Sequence, residues 1–340
     1  MNTSGQTPVQ TQTQPQTLTV KDLSVYFRTR HRPQLKVVDS VNFNVESSEV
    51  FGVVGESGCG KSITAYSIMG ILPESACYSG DIRFQGTDLA ALDKEQRRQL
   101  RGNRMSIVFQ EPMTSLNPVL TVGYQIAESL VTHKAVGWKE AKDTSIALLS
   151  KVRIPSAAAR YGDYPHQLSG GMRQRAMIAM AIACGPALLI ADEPTTALDV
   201  TIQAQILALL QKLREDTDMS VMLITHDLGI VAENTDRVAI MYAGRIVEEA
   251  GTEELFTLPL HPYTKGLLNS LPKGRGIPLA PIPGVVPRPD NLPPGCKFSD
   301  RCSYVIGECR GEEPPLRSLN PGHPVGHPVH NVRCIRAEEI

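Results

Sequence analysis

Residues 50–62, VFGVVGESGCGKS, decide the fold class. Val50–Val54 is a short apolar run that predicts a strand buried on both faces, and it stops at a glycine-rich turn. Gly55–Ser62 then matches the pattern G-x-x-x-x-G-K-S, and the chain is expected to enter a helix near Lys61. A strand, a glycine-rich loop and a helix in this order are the context in which the pattern binds nucleotide phosphates, so an ordinary glycine-rich turn is a poor alternative.

The residue types of this loop suit a bound phosphate group. Glycines allow successive backbone N–H groups to turn towards one centre, and the helix that follows adds the positive end of its dipole. The Lys61 ammonium would reach the β- and γ-phosphates, and the Ser62 hydroxyl would coordinate Mg²⁺. Cys59 occupies a spacer position whose backbone matters, and its thiol is a candidate for oxidation. The predicted nucleotide contacts in this segment are Gly55, Ser57, Gly58, Cys59, Gly60, Lys61, Ser62 and Ile63.

A second acidic partner for the metal is expected from the apolar segment Leu188–Glu193. As a buried strand, this segment delivers Asp192 to its carboxyl end, where ligands sit in open α/β sheets. Asp192 would hold Mg²⁺ through water, and Glu193 would point at the attacking water. The alternative is that Asp192 and Glu193 are only two solvated charges at the end of a strand. The buried apolar run before them and the phosphate loop disfavour this alternative.

Buried strands alternate with helix-like segments through the middle of the chain. This alternation predicts an α/β fold with a mostly parallel central sheet. Val37–Val45 alternates apolar with polar residues and predicts a half-buried strand. The other predicted strands are Val50–Val54, Met105–Phe109, Ala187–Ala191 and Val221–Thr225. The predicted helices are Ile63–Gly70, Thr121–His133, Lys139–Val152, Met172–Ala183 and Ala204–Glu215.

Composition excludes collagen-like, coiled-coil, wholly disordered and integral membrane proteins. The 340 residues include 34 Lys and Arg against 35 Asp and Glu, a formal charge of −1 that gives no electrostatic reason to expect nucleic acid as a partner. Hydrophobic residues make up 41%, and counted without Tyr and with Gly they come to about 46%, as in folded soluble proteins. The longest apolar run, Ala176–Ala191, is too short for a membrane span and is broken by Gly185 and Pro186. The first seventeen residues lack the features of a secretory signal.

The two ends of the chain differ in amino-acid composition from its middle. Residues 1–17 are mostly Gln, Thr and Pro, which predicts a disordered leader. From about residue 258 Pro and Gly become dense, so a boundary is placed between 258 and 275. Four of the seven cysteines lie in the last 45 residues.

Leu168–Arg175, LSGGMRQR, resembles the signature motif of the ATP-binding-cassette (ABC) ATPases, which distinguishes that family among proteins with a phosphate loop. Phe27, with Tyr26 as the alternative, lies where the family stacks an aromatic ring on adenine. The resemblance covers about residues 18–340. The remaining motifs follow in family order, namely Gln110 of the Q-loop, the Walker B pair Asp192–Glu193, the D-loop Ala197–Asp199 and the switch histidine His226.

The resemblance implies an ABC-type nucleotide-binding domain over residues 18–265. Such a domain has a RecA-like parallel core sheet, an antiparallel β subdomain and an α-helical signature subdomain, here over about residues 111–185. A small irregular cysteine-rich region would follow over residues 266–340.

The resemblance also implies a mechanism. Ser169–Gly171 at the start of a helix can bind a phosphate, which in the family belongs to ATP on the opposing subunit. Asp199 is expected at the same ATP, so two subunits close head-to-tail around two nucleotides. Gln110 would contact the nucleotide and Mg²⁺ and pass their state to a membrane partner. Glu193 would polarise the water, and His226 would contact the γ-phosphate.

Three segments are similar to the dipeptide/oligopeptide (and nickel) importer ATPases, namely Met113–Pro118, Ala191–Gln205 and His261–Thr264. Met172, where many cassettes carry Gln, is similar to the dipeptide branch. The resemblance implies the ATP-hydrolysing motor subunit of a peptide importer, peripheral on the cytoplasmic face of the cell membrane. Its partners would be a second homologous ATPase, giving a heterodimer, two integral membrane permease subunits and, indirectly, an extracytoplasmic peptide-binding protein.

Other functions remain open at this stage. The same class of transporter could import nickel or another small solute. A non-transport ABC ATPase acting on nucleic acid or ribosomes is disfavoured, because only about a hundred residues separate the phosphate loop from the signature and one phosphate loop is present. A chiefly iron–sulfur regulatory protein is disfavoured by Glu193 and His226.

The cysteines of the tail are spaced C-x5-C-x6-C-x24-C, at Cys296, Cys302, Cys309 and Cys334. Disulfides do not suit a cytosolic ATPase, and zinc, the runner-up, lacks paired C-x2-C spacing. Four thiolates on a Pro/Gly-rich loop can wrap a cubane cluster, and the importer ATPases that this chain resembles carry such a tail, read as a [4Fe–4S] site. Nearby histidines are expected to be solvated loop residues rather than ligands, namely His323, His327 and His330.

The cassette motifs lie far upstream of these cysteines. Nucleotide binding is therefore expected to survive loss of the cluster.

Overall fold

The computed structural model describes residues 16–29, 32–196, 198–271, 281–319 and 330–340. The strands are β1 (Gln16–Thr29), β2 (Arg32–Glu46), β3 (Val50–Val54), β4 (Ala76–Phe84), β5 (Thr87–Asp88), β6 (Met105–Val108), β7 (Leu188–Asp192), β8 (Ser220–Thr225), β9 (Arg237–Tyr242), β10 (Arg245–Gly251), β11 (Arg317–Leu319) and β12 (His330–Val332). The helices are α1 (Lys61–Met69), α2 (Lys94–Leu100), α3 (Pro112–Ser115), α4 (Val122–Lys134), α5 (Trp138–Lys151), α6 (Ala157–Arg160), α7 (Gly170–Ile182), α8 (Val200–Glu215), α9 (Leu228–Asn234), α10 (Thr252–Thr257) and α11 (Pro262–Asn269).

A sheet of eight described strands forms the centre of the molecule, in the order β11-β12-β10-β9-β3-β8-β7-β6. The five strands from β9 to β6 are parallel. Every residue of β3, β7 and β8 is buried, as the continuous apolar sequences of these strands predict. Because parallel strands end at one edge of a sheet, the residues that follow β3, β7 and β8 are brought together there.

A second, antiparallel sheet has the order β2-β1-β4-β5. Its apolar side chains alternate along β1 and β2 and pack in one core with α1 and β3. The first strand begins at Gln16, two residues before the predicted start of the domain, and Thr17 is buried with its hydroxyl 2.9 Å from the Ser220 hydroxyl. Residues 1–15 of the predicted leader lie outside the described residues.

Helices α3 to α7 form the predicted helical subdomain. The core that α4 to α7 share with β7 and β8 includes Val122, Ile126, Leu149 and Met177. With the parallel sheet and the antiparallel sheet, this confirms the predicted ABC-type α/β fold. Among the described helices, none is both long and apolar enough to cross a bilayer.

The C-terminal region packs onto the cassette. Strand β12 pairs with β10 in antiparallel fashion, Glu248 opposite Val332, and β11 adds outside β12. The rings of Tyr242, Tyr263 and Phe298 pack together with centroids 4.7–5.4 Å apart. The predicted division at residue 265 therefore does not coincide with a break in packing, and the tail contributes strands as well as irregular loops.

His330 differs from the sequence expectation. It is fully buried in β12, where Nε2 lies 2.8 Å from Glu248 Oε1 and Nδ1 lies 3.1 Å from Glu254 Oε1. The expectation of a solvated loop residue was wrong, because strand pairing with β10 brings His330 against two carboxylates distant in sequence. His323 and His327 lie outside the described residues.

Candidate functional site

The phosphate loop connects β3 to α1 and is pressed against the sheet. A Cβ on Gly55 would lie 2.1 Å from the carbonyl oxygen of Met241 on β9, so only glycine allows this approach. Gly60 precedes α1 with φ of 106°, a conformation that disfavours any residue with a Cβ. The loop therefore keeps the shape that the glycine pattern predicts.

The lysine of the loop is turned inward. Lys61 is 5% exposed, and its Nζ donates to the carbonyl oxygens of Gly55 at 2.7 Å and Glu56 at 3.2 Å. Ile63, in the first turn of α1, packs against the core. Cys59 is fully buried, and this burial raises the pKa of its thiol. A protonated, inaccessible thiol is poorly oxidised, so the structure disfavours the redox role considered for Cys59.

A carboxylate from β7 meets the start of α1. The Ser62 hydroxyl donates to Asp192 Oδ1 at 3.0 Å. Asp192 is fully buried, and this desolvation, with the charge of Glu193, raises the pKa of its carboxyl group. Asp192 Oδ2 is buried without a well-formed hydrogen bond. The Tyr66 hydroxyl interacts electrostatically with the same carboxyl group. A buried carboxylate oxygen that lacks a donor suits a cation.

Three side chains, each from the loop after a different strand, converge on one carboxylate. Glu193, directly after β7, accepts hydrogen bonds on Oε2 from Gln110 Nε2 at 2.9 Å and from the Thr196 hydroxyl at 2.8 Å. His226, directly after β8, places Nδ1 at 3.3 Å from Glu193 Oε1. The Glu193 side chain is 13% exposed, whereas His226 is 60% exposed. The three predicted catalytic residues are thus brought together, with a partly open face.

The signature segment forms the exposed beginning of α7. Ser169 caps the helix, and its hydroxyl accepts a hydrogen bond from the Met172 N–H at 3.4 Å. Gly170 and Gly171 form the first turn, where backbone N–H groups have no partner within the helix. The exposed N–H groups and the positive end of the dipole are available to an anion from another molecule.

The D-loop lies beside the signature. Asp199 caps α8 by accepting a hydrogen bond from the Ile202 N–H at 2.9 Å. A Cβ on Gly171 would lie 2.9 Å from Ile202 Cγ2, so the starts of α7 and α8 approach closely. Ala197, at the beginning of the predicted D-loop, lies outside the described residues.

The predicted adenine contact lies in the antiparallel sheet. Phe27 is half-buried on β1, opposite Leu35 of β2 and Ala76 of β4. The Lys36 ammonium lies 5.5 Å from the centroid of the neighbouring Tyr26 ring. One face of Tyr26 is therefore covered by a cation, which favours Phe27 as the ring for stacking.

The tail brings its cysteines together around one small cavity of about 20 Å³, room for about one water molecule. Phe298 and His261 line the same cavity. Among the described residues, no three His, Cys, Asp or Glu side chains converge closely enough to hold a metal ion. The cysteines that line the cavity are Cys296, Cys302, Cys309 and Cys334.

The chemistry of these thiols follows from their burial. Desolvation raises the pKa of Cys296 to about 11 and also raises the pKa values of Cys302 and Cys334. These thiols are protonated at neutral pH unless a cation replaces the proton. Binding of a metal would therefore release protons.

Sequence reasoning missed three residues of the site. Thr196 helps to hold Glu193, and Tyr263 and Arg301 both contact Glu56 of the phosphate loop. Tyr263 belongs to a segment that the sequence marks as similar to importer ATPases, but nothing in the sequence connects that segment with the loop. No sequence signal indicated Arg301.

Comparison with known proteins agrees with this fold. The family model described as ABC transporter matches residues 38–196, and the model described as oligopeptide/dipeptide transporter, C-terminal region, matches residues 247–309. A dimeric ATP-binding cassette in a post-hydrolysis state with ADP and Pi superposes with a TM-score of 0.62 and 25% identity, covering 69% of this chain and 98% of that chain.

Two relatives extend the similarity over nearly the whole chain. The oligopeptide transport ATP-binding protein AppD of Bacillus subtilis is 48% identical, covering 95% of this chain and 97% of that protein. The dipeptide transport ATP-binding protein DppD of Haemophilus influenzae is 50% identical, covering 89% of this chain and 92% of that protein. As its signature motif predicts, the chain belongs to the ABC transporter ATP-binding proteins, in the oligopeptide/dipeptide transporter family.

Proposed function

We propose that this chain is the ATP-hydrolysing subunit of a peptide importer. The observation that carries the proposal is the convergence of Gln110 and His226 on Glu193, next to the contact between Ser62 and Asp192. These residues, at the carboxyl ends of β3, β6, β7 and β8, would supply one subunit's share of a hydrolytic site. Peptide as the cargo is supported by the C-terminal match and by the names of the two relatives.

The phosphate loop is proposed to bind ATP through its backbone N–H groups and Lys61. The Lys61 ammonium, held on two carbonyl oxygens, would exchange them for phosphate oxygens of higher charge. Ser62, Asp192 and Gln110 would hold Mg²⁺, and the orphaned Asp192 Oδ2 supports this set. Bound Mg²⁺ would neutralise charge on the phosphates. Phe27 would stack on adenine.

Glu193 is proposed to orient and polarise the attacking water. Its Oε2 is occupied by Gln110 and Thr196, so Oε1 is the atom left to accept a hydrogen bond from the water. His226, close to Oε1 and largely exposed, can reach a γ-phosphate oxygen. Water then adds to the γ-phosphorus as the bond to the β-phosphate oxygen breaks, and ADP and phosphate leave.

The second half of each ATP site is proposed to come from another subunit. Ser169, Gly170 and Gly171 expose an anion-binding helix start, and Asp199 lies beside them. A second homologous ATPase would form a heterodimer with this chain. Each subunit would supply its signature and D-loop residues to the ATP site of the other. Two membrane permease subunits and an extracytoplasmic peptide-binding protein complete the proposed importer, with this chain peripheral on the cytoplasmic face.

The four cysteines are proposed to hold a [4Fe–4S] cluster. Four thiols around one cavity match the ligand number of such a cluster. A single zinc ion bound by the same thiols is the alternative, and among the described residues no three such side chains yet lie close enough to hold either metal. The present cavity is small, so the loops that carry the cysteines would spread to admit the cluster.

Transport in reconstituted vesicles tests the function. The chain, its partner ATPase and the permeases are placed in liposomes with the binding protein, and ATP hydrolysis is measured with di- and oligopeptides or with Ni²⁺. Peptide-dependent hydrolysis with peptide uptake is expected. Stimulation by Ni²⁺ and not by peptides would replace the proposed cargo with nickel. ATP hydrolysis that never responds to a solute would contradict the importer.

A further inference from the structure

The phosphate loop is held from outside by two residues of the C-terminal part of the chain. The Glu56 backbone N–H donates to the Tyr263 hydroxyl oxygen at 3.0 Å, and Arg301 Nη1 donates to Glu56 Oε1 at 2.9 Å. Tyr263 is fully buried and Arg301 is 8% exposed. Backbone and side chain of one loop residue are therefore fixed by two separate buried partners.

Arg301 is itself fixed by the tail. Its Nε donates to the carbonyl oxygen of Pro283 at 2.8 Å, and its Nη1 lies 3.4 Å from the Tyr242 hydroxyl. The guanidinium carbon lies 5.7 Å from the Tyr242 ring and 5.9 Å from the Phe298 ring. Cys302 follows Arg301 directly, so the loop that carries the cysteine cavity also carries the contact to Glu56.

Tyr263 is fixed by the same aromatic core. Its ring lies 4.7 Å from the Tyr242 ring and 5.4 Å from the Phe298 ring, and its N–H donates to His261 Nδ1 at 3.0 Å. Burial raises the pKa of Tyr263, which keeps the hydroxyl neutral. Phe298 and His261 also line the cysteine cavity. A continuous series of contacts therefore runs from the cavity through the aromatic core to the phosphate loop.

The position of Glu56 matters for phosphate binding because the loop binds phosphate through the directions of its backbone N–H groups. An anion site made of N–H groups binds well only when the groups already point at one centre. The Glu56 carbonyl oxygen also holds the Lys61 ammonium. Movement of Glu56 would therefore turn an N–H of the loop and displace the lysine.

We propose that Tyr263 and Arg301 are positioning residues that keep the phosphate loop in its ATP-binding shape, so that the C-terminal region sets the affinity for ATP. This rests on the proposed ATP role of the loop. It also replaces the expectation, drawn from distance in sequence, that nucleotide binding is independent of the tail.

Titration of the full-length chain with a fluorescent ATP analogue tests the proposal. Tyr263→Phe removes one hydroxyl and keeps the ring, and Arg301→Ala removes the guanidinium. Each substitution removes one hydrogen bond to Glu56 and is expected to weaken binding about three- to tenfold. Matched controls are Tyr161→Phe in the helical subdomain and Arg310→Ala, whose exposed ion pair with Asp300 lies in the tail. Both controls should stay within about twofold of the unmodified chain.

Two further measurements separate positioning from loss of stability. In the assembled transporter the KM for ATP should rise with kcat retained, whereas general destabilisation would lower kcat with the active fraction. In a chain with Glu56→Ala, Arg301→Ala should add less than about a twofold effect, because its partner is already gone.

The outcomes are distinct. Variants that bind ATP as tightly as the controls, whatever their melting temperatures, would overturn the positioning role and leave the ATPase assignment standing. Full additivity in the double variant would show that Arg301 does not act through Glu56. An unmodified chain that binds no nucleotide would remove the proposed ATP site, and this inference with it.

Discussion

Glu193 has a backbone conformation that costs energy. Its φ of 45° lies in the left-handed region, which disfavours residues with a Cβ. The backbone is held by the hydrogen bond from the Glu193 N–H to the Ile224 carbonyl at 2.9 Å, and the side chain by Gln110 and Thr196. Strain of this kind persists where the surroundings over-determine a residue, which agrees with the role proposed for Glu193.

Replacement of Glu193 by Gln should nearly abolish ATP hydrolysis and leave ATP binding intact. The amide keeps the shape of the side chain but loses the negative charge that polarises the water, and Lys61, Ser62 and Asp192 are unchanged. Steady-state hydrolysis and retention of nucleotide by the assembled complex are the measurements. Glu215→Gln, on the exposed end of α8, is the control that should hydrolyse ATP normally. Hydrolysis by Glu193→Gln near the normal rate would refute the role.

At the scale of elements, β12 is attached to β10 through a pH-dependent contact. Burial lowers the pKa of His330, but hydrogen bonds and charge from Glu248 and Glu254 outweigh this, so the folded pKa lies above the ordinary 6.5. A raised folded pKa means that the contribution of His330 to stability is fully present below pH 6.5. That contribution is lost as the pH rises from 6.5 through the folded pKa.

Urea unfolding at a series of pH values checks this sign. The unmodified chain should lose stability above pH 6.5, and His330→Gln should be less stable at pH 6 and show a flatter profile above 6.5. His133→Gln is the control, because burial lowers the pKa of His133 and moves its titration below pH 6.5. Equal slopes above pH 6.5 in the His330→Gln and unmodified chains would disprove the assignment.

Replacement of Cys302 by Ser should remove iron and weaken ATP binding together. Anaerobically purified unmodified chain should contain roughly four iron and four sulfide per chain. The variant should lose them, and its ATP affinity should fall because Arg301 precedes Cys302. Cys184→Ser, in the helical subdomain, should keep both properties. Stoichiometric zinc without iron in the unmodified chain would refute the assignment of the cluster. Loss of iron with unchanged ATP affinity would show that the cluster does not affect ATP binding by the phosphate loop.

The sequence predicts those elements whose residues carry their own pattern. The apolar runs of β3, β7 and β8 are visible because both faces are buried, and the motif residues Gln110, Glu193 and His226 lie beside one another in the structure. Strand β10 reads RIVEEAG, and nothing local explains why Glu248 is buried. Its partner His330 lies 82 residues away, and Arg301 lies 245 residues from Glu56. Contacts of this range depend on topology, which local patterns do not contain.

For the whole molecule, the exposed beginning of α7 predicts that the isolated chain hydrolyses ATP poorly. In the proposed function Ser169, Gly170 and Gly171 serve a nucleotide on another subunit, so each site would need two subunits. Hydrolysis per chain should rise with concentration and rise further in the assembled complex. Light scattering with a parallel ATPase assay measures this. A monomeric chain as active as the complex would refute the composite site.

The pairing of β10 with β12 has a consequence for synthesis on the ribosome. β12 begins 79 residues after β10 ends, so the nascent cassette presents β10 as an open strand for an interval. An open strand is a template for aggregation with another chain. We expect Glu248 and Glu249, still hydrated at that moment, to repel a second nascent copy. The same two carboxylates would then be buried when the late strand arrives with His330 and Asn331.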